Sequence, residues 1–544
     1  MIRTFSLIAL ILLSHQVAIA GDTLTRADKI DALYSSQLAF DSRGTPLVTI
    51  GVAERADQVE LRGDRPLRLL PDGVGGAEVV ANNQWTIRLT DGRPARVEHF
   101  VVLDRFAPEA VARLREVRAR WTARQITTQA LEVGSVYGIK GQVLDNRVLL
   151  LLSGPFEREA PARQQLERFK AQGWGQRLRV LTRMKRRPSG TLIATDSKTG
   201  TTVRASATLW FAAANDNQLI EATAQGSATV GTQRGRYRGS IYVTVDRAGK
   251  LAVVNRLPID RLLEGLVSAE IFPSAPYAAL HAQAIAARGN LLAKIGTRNL
   301  ADPYLTCAWT RCQVYRGAGF EHPRTSRAIR ETRGQVLMRE GDSNRLVDAV
   351  YHANSGGHTE NNENVWPGSA DPVLRGKLDS PNRQALAKFA NGINESNIHD
   401  WLAARPDTWT ARSSVNRDKF RWQARRSQQQ LSSLGVGKVR EIRVLSRGVS
   451  GRVKSLEISG SRGKRLLSGE LRIRRALGNL RSSMFVVTAQ STSSAPDAFY
   501  FHGGGWGHGV GLCQSGAIGM AEAKRNAKQI LLHYYSRARI TQLY

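Results

Sequence analysis

A glycine-rich run near the C-terminus, residues 501–517, carries the side chains best suited to chemistry. It holds seven glycines in seventeen residues, which lose much backbone entropy on folding and therefore indicate a demanding local geometry. Among the glycines stand side chains that bind polar ligands or sugar faces, namely His502, Trp506, His508 and Gln514. Glycines on both sides of His508 leave it no helix or strand to pack within. We predict a shaped ligand site here, the alternative being a set of tight turns.

Two other functions of this run are disfavoured. A phosphate-binding loop needs Gly-Lys-Ser/Thr after the glycines, and none follows. The segment His502-Gly-Gly-Gly505 imitates the oxyanion motif of esterases, but the chain has no Gly-x-Ser-x-Gly elbow. Neither a nucleotide site nor a serine hydrolase is predicted.

Glu270 is the carboxylate best placed for acid–base chemistry. Apolar residues between 262 and 267 fall on one face of a short helix, and Pro273 and Pro276 break the chain after it. A helix C-terminus disfavours negative charge, and Ile271 and Phe272 desolvate the carboxyl group, so its pKa should be raised. We predict a general acid, the alternative being a solvated surface glutamate.

Glu264 stands on a different face of the same helix and is predicted to be an exposed charge.

The next helix, from about residue 277 to 295, carries an apolar stripe that predicts core packing. Gln283 and Arg288 on this helix bind substrate or orient Glu270 under one hypothesis, and are simply solvated under the other.

A central segment, residues 351–366, supplies further candidates. Ser355-Gly356-Gly357 predicts a tight turn that presents Tyr351 and His352 at a strand end, and Trp366 is suited to stack on a sugar ring. The two aromatic side chains fit a hydrophobic core equally well.

Three ordered segments resemble the sporulation stage II protein D and amidase-enhancer family, whose members act on bacterial peptidoglycan. The resemblance covers roughly residues 237–544 and leaves the first 230 outside. The matching motifs are LPIDRLLEGLVSAE (257–270) with ALHAQAIAAR (279–288), YHANSGG (351–357) with ENVW (363–366), and residues 501–517 with ILLHYY (530–535). The chain departs from the family pattern at Gly289-Asn290, where Thr-Tyr is common, and at Cys513 and Ser515.

The resemblance implies a lytic transglycosylase that cleaves the bond between N-acetylmuramic acid and N-acetylglucosamine. Glu270 would protonate the leaving oxygen and then take the proton of the muramic acid 6-hydroxyl as it closes on C1, leaving a 1,6-anhydro end. No cofactor is implied. The substrate-binding residues carried by the motifs would be Gln283, Arg288, Tyr351, His352, Ser355, Trp366, Trp506, His508 and Gln514. The family prefers glycan stripped of stem peptides, so a wall amidase is the natural partner.

Two other functions remain open at this stage. A non-catalytic glycan-binding enhancer of an amidase would use the same cleft. A zinc amidase would draw on His352, His358, His502 and His508, although the chain has no His-Glu-x-x-His.

The first twenty residues predict a secretory signal peptide. Arg3 precedes an apolar stretch, and Ala18-Ile19-Ala20 forms a small-x-small cleavage site. No later apolar run approaches the eighteen or so residues that cross a bilayer. We expect an exported protein without a transmembrane anchor, in the periplasm or the extracellular wall.

The formal net charge of +32 points to anionic partners. No basic-aromatic recognition motif is visible and the export signal separates the chain from nucleic acid, so anionic envelope polymers are the expected partners. The arginines are spread along the chain, which also fits a generally basic proteome.

Cys307 and Cys312 are close enough in sequence to form a disulfide in an oxidising compartment. Some members of the family carry a structural zinc near here with additional histidines, whereas the nearest histidine in this chain is His322. A disulfide is favoured over a metal site. Cys513 is expected to pack as a small buried thiol.

The length of 544 residues predicts several domains and an α+β fold class. We expect a signal peptide at 1–20, a β-rich region at 21–135, a small strand-helix-strand module with a linker at 136–190, and a mixed α/β catalytic region at 191–544. The small module faintly resembles the glycan-binding SPOR repeat.

Overall fold

The computed structural model describes residues 33–34, 38–72, 78–174, 178–213, 215, 218–226, 233–309, 312–366, 368–490 and 496–544. The predicted signal peptide at 1–20 lies outside these ranges.

Twelve α-helices lie wholly within the described residues, and three of them are only four residues long. In chain order they are Val111–Thr122 (α1), Glu159–Ala171 (α2), Ile259–Glu270 (α3), Tyr277–Leu292 (α4), Pro323–Glu331 (α5), Ile398–Ala403 (α6), Trp409–Arg412 (α7), Arg417–Phe420 (α8), Gln428–Leu431 (α9), Glu470–Ala476 (α10), Gln514–Glu522 (α11) and Ala527–Tyr534 (α12). Short 3₁₀ turns occupy Ala318–Phe320, Asn362–Asn364, Gln384–Phe389 and Ser432–Leu434.

Two large sheets pair strands from residues 39–93 with strands from residues 189–258. The eight-stranded sheet runs Ala39–Phe40, Pro46–Ala56, Leu251–Pro258, Ser240–Val245, Thr208–Ala212, Leu67–Pro71 and Val79–Ala81, with Thr306–Cys307 parallel to Pro46–Ala56. The six-stranded sheet runs Thr202–Ala205, Ser189–Asp196, Gln84–Arg93, Gln58–Gly63, Ile220–Gln225 and Gln233–Tyr237. Because both sheets pair strands across the boundary expected at 190/191, that boundary does not separate two structural units.

A four-stranded antiparallel sheet with two helices is inserted between these strands. Its strand order is Arg179–Arg186, Arg96–Phe106, Val148–Phe156 and Thr128–Val133, with α1 and α2 as connections. This is the split βαβ arrangement. The unit begins at Arg96–Phe106, which is one of its two central strands. The module expected at 136–190 therefore covers only the second half of this unit. A hairpin, Val136–Ile139 with Gln142–Asp145, projects from it.

The two faces of this inserted sheet pack differently. One face is covered by α1 and α2 through Val117, Trp121, Leu166 and Phe169. The other face contacts Leu300, in the segment that follows α4. The unit is therefore seated on the region that contains Glu270.

The helices around Glu270 form the middle of the main hydrophobic core. In α3 the apolar residues at 259, 262, 263, 266 and 267 are buried, whereas α4 is rich in Ala and Leu and is buried almost all round. Next to them lie α5, α11, α12 and a sheet of Gln335–Arg339, Asp342–Leu346 and Ala538–Gln542. Burial on all sides holds α4 fixed against α3, α11 and α12.

Residues 351–513 add three small sheets. They are Val439–Arg447, Val453–Gly460 and Gly463–Ser468; Arg421–Ser427, Ala498–Gly504 and Phe485–Gln490; and the parallel pair Tyr351–His352 and Leu512–Cys513. The mixed helix-and-sheet class predicted from the sequence is confirmed. None of the helices in the described part of the chain has both the length and the apolar character needed to cross a membrane.

Candidate functional site

A cleft of about 260 Å³ opens at the C-terminal end of α3. Its lining residues come from α3 and the loop after it, the strand Tyr351–His352, the turn before α8, the glycine-rich run and α11. They are Glu270, Ile271, Phe272, Tyr351, His352, Ala353, Asn416, Trp506, Gln514 and Ile518. Segments more than 240 residues apart in the sequence thus meet here.

Glu270 is the last residue of α3, and its carboxyl group faces this cleft. Burial raises the pKa of Glu270. A hydrogen bond from the backbone of Val314 acts in the opposite direction, but its effect is smaller, so the pKa remains raised. Ile271 is buried beside it, while Phe272 is half exposed on the rim. A carboxyl group with a raised pKa in a partly enclosed cleft holds its proton at higher pH than an ordinary glutamate, which suits proton donation.

Tyr351 and His352 line the cleft with polar atoms that have no protein partner. Among the described residues, neither the Tyr351 hydroxyl nor His352 Nε2 makes a hydrogen bond, and both are buried. His352 Nδ1 lies 3.1 Å from the Val510 carbonyl, so the neutral ring donates there and leaves Nε2 as an acceptor. Burial keeps the pKa of His352 well below its ordinary value. Burial also raises the pKa of Tyr351, and the negative charge of Glu270 raises it further. Both groups are therefore uncharged.

His508 supports the strand that carries these two side chains. Its Nε2 lies 2.9 Å from the Tyr351 carbonyl, and its Nδ1 accepts from the Val510 amide at 3.1 Å. Burial, reinforced by the nearby Arg452, lowers the pKa of His508 to about 3. His508 does not line the cleft. Its hydrogen bonds make it a positioning residue for Tyr351.

Trp506 and Asn416 form the outer side of the cleft. Trp506 is 40% exposed, and Lys419 Nζ lies 5.1 Å from the centre of its ring. Its backbone pairs with Asn354 through two hydrogen bonds, of 3.0 and 2.8 Å. Asn416 has a left-handed backbone conformation, with φ of 56°, and caps α8. Asn416 was not predicted as a site residue, because a single asparagine in a polar loop carries no periodic or motif signal.

Gln514 links the cleft to α4. Its Nε2 donates to Gln283 Oε1 at 3.3 Å, and Gln283 itself is fully buried behind it. Gln283 Nε2 has no hydrogen-bond partner among the described residues. Gln283 therefore acts through Gln514 rather than by lining the cleft.

Comparison with known protein families gives two matches. Residues 247–338 match the SpoIID family, described as stage II sporulation protein, and residues 360–511 match a domain of unknown function. Residues 247–338 therefore belong to the SpoIID family. The SpoIID match contains α3 and Glu270, whereas Asn416 and Trp506 come from the second match, so the cleft combines both.

Three relatives resemble about half of this chain. An uncharacterized protein of Brachyspira hyodysenteriae is 27% identical over 286 residues, which is 53% of this chain and 67% of the relative. The amidase enhancer of Bacillus subtilis is 26% identical over 295 residues, covering 51% of this chain and 40% of the relative. Stage II sporulation protein D of Bacillus amyloliquefaciens is 26% identical over 316 residues, 56% of this chain and 79% of the relative. The chain thus spans less than half the length of the amidase enhancer.

Arg288, expected to touch substrate or orient Glu270 in the SpoIID-like motif, lies inside the core instead. It is fully buried and donates to Asp260 Oδ1 at 2.9 and 3.0 Å and to the carbonyls of Gln335 and Ile329. Asp260 stands in the first turn of α3, the helix that ends at Glu270. The buried position of Arg288 contradicts direct substrate contact; the side chain instead fixes the end of α3 opposite Glu270.

Ser355 is also buried away from the cleft. Its hydroxyl donates to Asp379 Oδ2 at 2.9 Å and accepts from the Gly357 amide at 3.1 Å. Its own amide donates to Cys513 Sγ at 3.1 Å. Direct substrate contact by Ser355 is therefore wrong, because the turn consumes its hydrogen-bonding capacity. Cys513 packs as expected, fully buried, and burial raises the pKa of its thiol to about 11.

Trp366 packs against the main core and lies with its ring centre 4.7 Å from that of His508. It is not among the residues that line the cleft. The prediction that Trp366 stacks on a sugar is not supported by its position, since the ring supports His508 from behind.

Glu264 is buried rather than exposed. Its side chain is 5% exposed and pairs with Arg261 at 3.0 Å. The prediction of a solvated charge was wrong because α5 and the 3₁₀ turn Ala318–Phe320 cover this face of α3.

Arg452 is a functional neighbour that the sequence did not reveal. Its buried guanidinium donates to the carbonyls of Ser355, His358 and Gly507 at 3.3–3.4 Å and to Ser450 Oγ at 3.0 Å. A Cβ on Gly509, whose φ is 87°, would lie 2.5 Å from Arg452 Cζ. The glycines of the run thus make room for an arginine that ties three segments of the site together.

Cys307 and Cys312 are joined by a disulfide, with an S–S distance of 2.03 Å. Within the described ranges, no three His, Cys, Asp or Glu side chains are grouped so that they could hold a metal ion, and this includes the four histidines of the zinc-amidase hypothesis.

Proposed function

We propose that this SpoIID-family chain is a peptidoglycan lytic transglycosylase acting on glycan strands stripped of stem peptides. The observation that carries the proposal is Glu270, which contributes the one carboxyl group among the described residues that line the cleft and has a raised pKa. A glycoside hydrolase generally needs a second carboxylate to activate water or to form a glycosyl-enzyme. A transglycosylase does not, because the acceptor is the substrate's own hydroxyl group.

The reaction proceeds through one carboxyl group in two roles. Protonated Glu270 donates its proton to the glycosidic oxygen as the bond from C1 of N-acetylmuramic acid to that oxygen breaks. The resulting carboxylate then takes the proton of the 6-hydroxyl as the C1–O6 bond forms. No water is consumed, and Glu270 returns to its protonated form.

The unpartnered groups beside Glu270 are suited to hold the sugar. The neutral His352 Nε2 accepts a hydrogen bond from a glycan hydroxyl or amide, and the Tyr351 hydroxyl donates one. Buried polar atoms without partners are unfavourable in the free protein, and a ligand that satisfies both gains affinity.

The name of the relative from Bacillus subtilis, amidase enhancer, favours a second candidate function. A non-catalytic glycan-binding enhancer of a wall amidase would use the same cleft without breaking the strand. Under either function the chain acts in the cell envelope, exported to the periplasm or the wall, with peptidoglycan strands, anionic envelope polymers and a wall amidase as partners.

Mass spectrometry of products from purified, peptide-free glycan strands tests the assignment. We expect fragments with 1,6-anhydromuramic ends. Reducing muramic ends would establish a hydrolase, and unchanged strands that remain bound to the protein would establish the enhancer.

Replacing Trp506 with alanine is expected to raise the KM for glycan about three- to tenfold, with kcat little changed. The exposed indole offers a flat surface to a sugar face, and aromatic contacts of this kind contribute about 0.5–1.5 kcal/mol. Steady-state kinetics on strands of defined length measure the effect, with Trp506→Phe as the control that keeps an aromatic ring. A fall in kcat at constant KM would assign the indole to the chemical step instead.

A further inference from the structure

Lys419 lies against the outer side of the cleft. Its Nζ is 5.1 Å from the centre of the Trp506 ring, and Trp506 lines the cleft. Asn416 also lines the cleft, and its carbonyl accepts a hydrogen bond from the Lys419 amide at 2.9 Å. The Lys419 side chain is only 19% exposed, so the packing around it restrains the ammonium group. A permanent cation thus lies directly behind one of the side chains that form the cleft.

The positive charge of Lys419 is only partly matched. Among the described residues, Asp418 is the one carboxylate that pairs with it, through oxygens 3.0 and 3.2 Å from Nζ. Arg481 pairs with the same carboxylate at 3.2 Å. The Asp418 side chain is 60% exposed, so solvent screens both pairs. Two cations therefore share one carboxylate, and since an ammonium group has three N–H donors, at least one donor of Lys419 remains for a ligand.

The polar groups inside the cleft are matched to neutral parts of a sugar. Tyr351 and His352 are both uncharged, and the Trp506 indole carries no charge either. A neutral hydroxyl or amide of a glycan satisfies such groups without any cation nearby. Lys419 therefore suits a different feature of the ligand, an anionic substituent that projects from the sugar past Trp506.

We propose that Lys419 binds the lactyl carboxylate of N-acetylmuramic acid and thereby selects strands without stem peptides. The lactyl group is an ether substituent that projects from the sugar, so its carboxylate lies beside the ring. In a strand that carries a stem peptide this carboxyl group is an uncharged amide, and an amidase frees it as a carboxylate. The inference rests on the proposed action on peptidoglycan, and it attributes the preference for stripped strands to a charge-assisted hydrogen bond that only they can make.

The test measures binding without turnover, so all proteins carry Glu270→Gln. Three glycans are compared: strands stripped of peptides, the same strands with their lactyl carboxylates converted to methylamides, and an oligomer of N-acetylglucosamine, which has no lactyl group. Lys419→Gln is measured beside Lys388→Gln as the matched control. Lys388 also lies near an aromatic ring and an aspartate, with its Nζ 4.9 Å from the centre of Phe389 and 3.4 Å from Asp400, but it does not line or adjoin the cleft.

Protein that keeps Lys419 should bind stripped strands about tenfold more tightly than methylamide strands. Lys419→Gln should abolish this preference by weakening the binding of stripped strands about tenfold, while the other two glycans stay within about twofold. Asp418→Asn should tighten the binding of stripped strands, because it removes the competing carboxylate, and misfolding does not produce such a gain. Lys388→Gln should change none of the three affinities by more than about twofold.

Equal losses on all three glycans in Lys419→Gln would assign the side chain a structural role and overturn the proposal. So would protein that keeps Lys419 and binds stripped strands no better than methylamide strands. Product analysis with Glu270 intact is a separate measurement. A preference that depends on Lys419 without 1,6-anhydro products would refute cleavage and leave the carboxylate site standing, whereas anhydro products without that preference would refute the site alone.

Discussion

Replacing Glu270 with glutamine should lower the release of 1,6-anhydromuramyl products at least about a hundredfold, the usual contribution of general acid–base catalysis. Glutamine keeps the shape of the side chain and its hydrogen bond from Val314, but it has no proton to transfer. Glycan binding should persist, because the sugar-facing groups of Tyr351, His352 and Trp506 are unchanged. Chromatography of muropeptides measures the products, and co-sedimentation with stripped strands measures binding.

The pH dependence of the unaltered protein gives an independent check. Because burial raises the pKa of Glu270, the protonated form persists above the usual glutamate range, and kcat/KM should fall as pH rises through that raised value. The matched control is Glu264→Gln, the same change on the same helix but outside the cleft. Its turnover per folded molecule should be nearly normal. Loss of binding together with turnover in Glu270→Gln would point to a structural role, and an unchanged rate would leave the enhancer function as the better account.

Local signals in the sequence predicted two of the elements that line the cleft. The stripe of apolar residues in α3 followed by two prolines located the end of the helix, and the glycine density of 501–517 located the segment that wraps the site. Both signals depend only on residues that are close together in the sequence, so they can be recognised without knowledge of the fold. The division at 190/191 failed for the opposite reason. Strand pairing between residues 46–56 and 251–258 depends on chain segments 200 residues apart, and alternating patterns do not encode which strands pair.

The site itself was predicted in part. Glu270, Tyr351, His352, Trp506 and Gln514 line the cleft, whereas Arg288 and Ser355 lie behind it. A motif position identifies a residue whose side chain matters to the site, but it does not distinguish a side chain that faces the ligand from one that fixes a helix or a turn. That distinction needs burial and hydrogen-bond partners. By these criteria Arg288 fixes the end of α3 opposite Glu270, and Ser355 donates a hydrogen bond to the buried carboxylate of Asp379.

Replacing Asp379 with asparagine should lower the free energy of unfolding by about 3 kcal/mol at neutral pH. The carboxylate is fully buried and accepts hydrogen bonds from Ser355, Thr410, His533 and Tyr534, at 2.7–3.1 Å. Asparagine has the same shape, but its amide NH₂ group replaces one of the acceptor oxygens and would face the groups that donate to that oxygen. Denaturant titration of purified protein measures the loss. The exposed Asp407, paired with Arg412 at 2.6 Å, provides the control, and Asp407→Asn should cost less than about 1 kcal/mol.

The pH dependence of the Asp379 variant separates the charge from the packing. Burial would raise the pKa of Asp379, but the hydrogen bonds and charge of His533, with those of Thr410 and Tyr534, outweigh it, so the folded pKa lies below the ordinary aspartate value of about 3.9. A depressed carboxyl pKa contributes stability that is present above the unfolded pKa and is lost as pH falls through the folded one. The gap in unfolding free energy between the unaltered protein and Asp379→Asn should therefore be full at neutral pH and narrow below about pH 4. A gap that stays constant into acid would mean that Asp379 is protonated in the folded state. The turn at Ser355, and with it the strand that presents Tyr351 and His352, would then be held by a neutral hydrogen-bond network rather than by a buried charge.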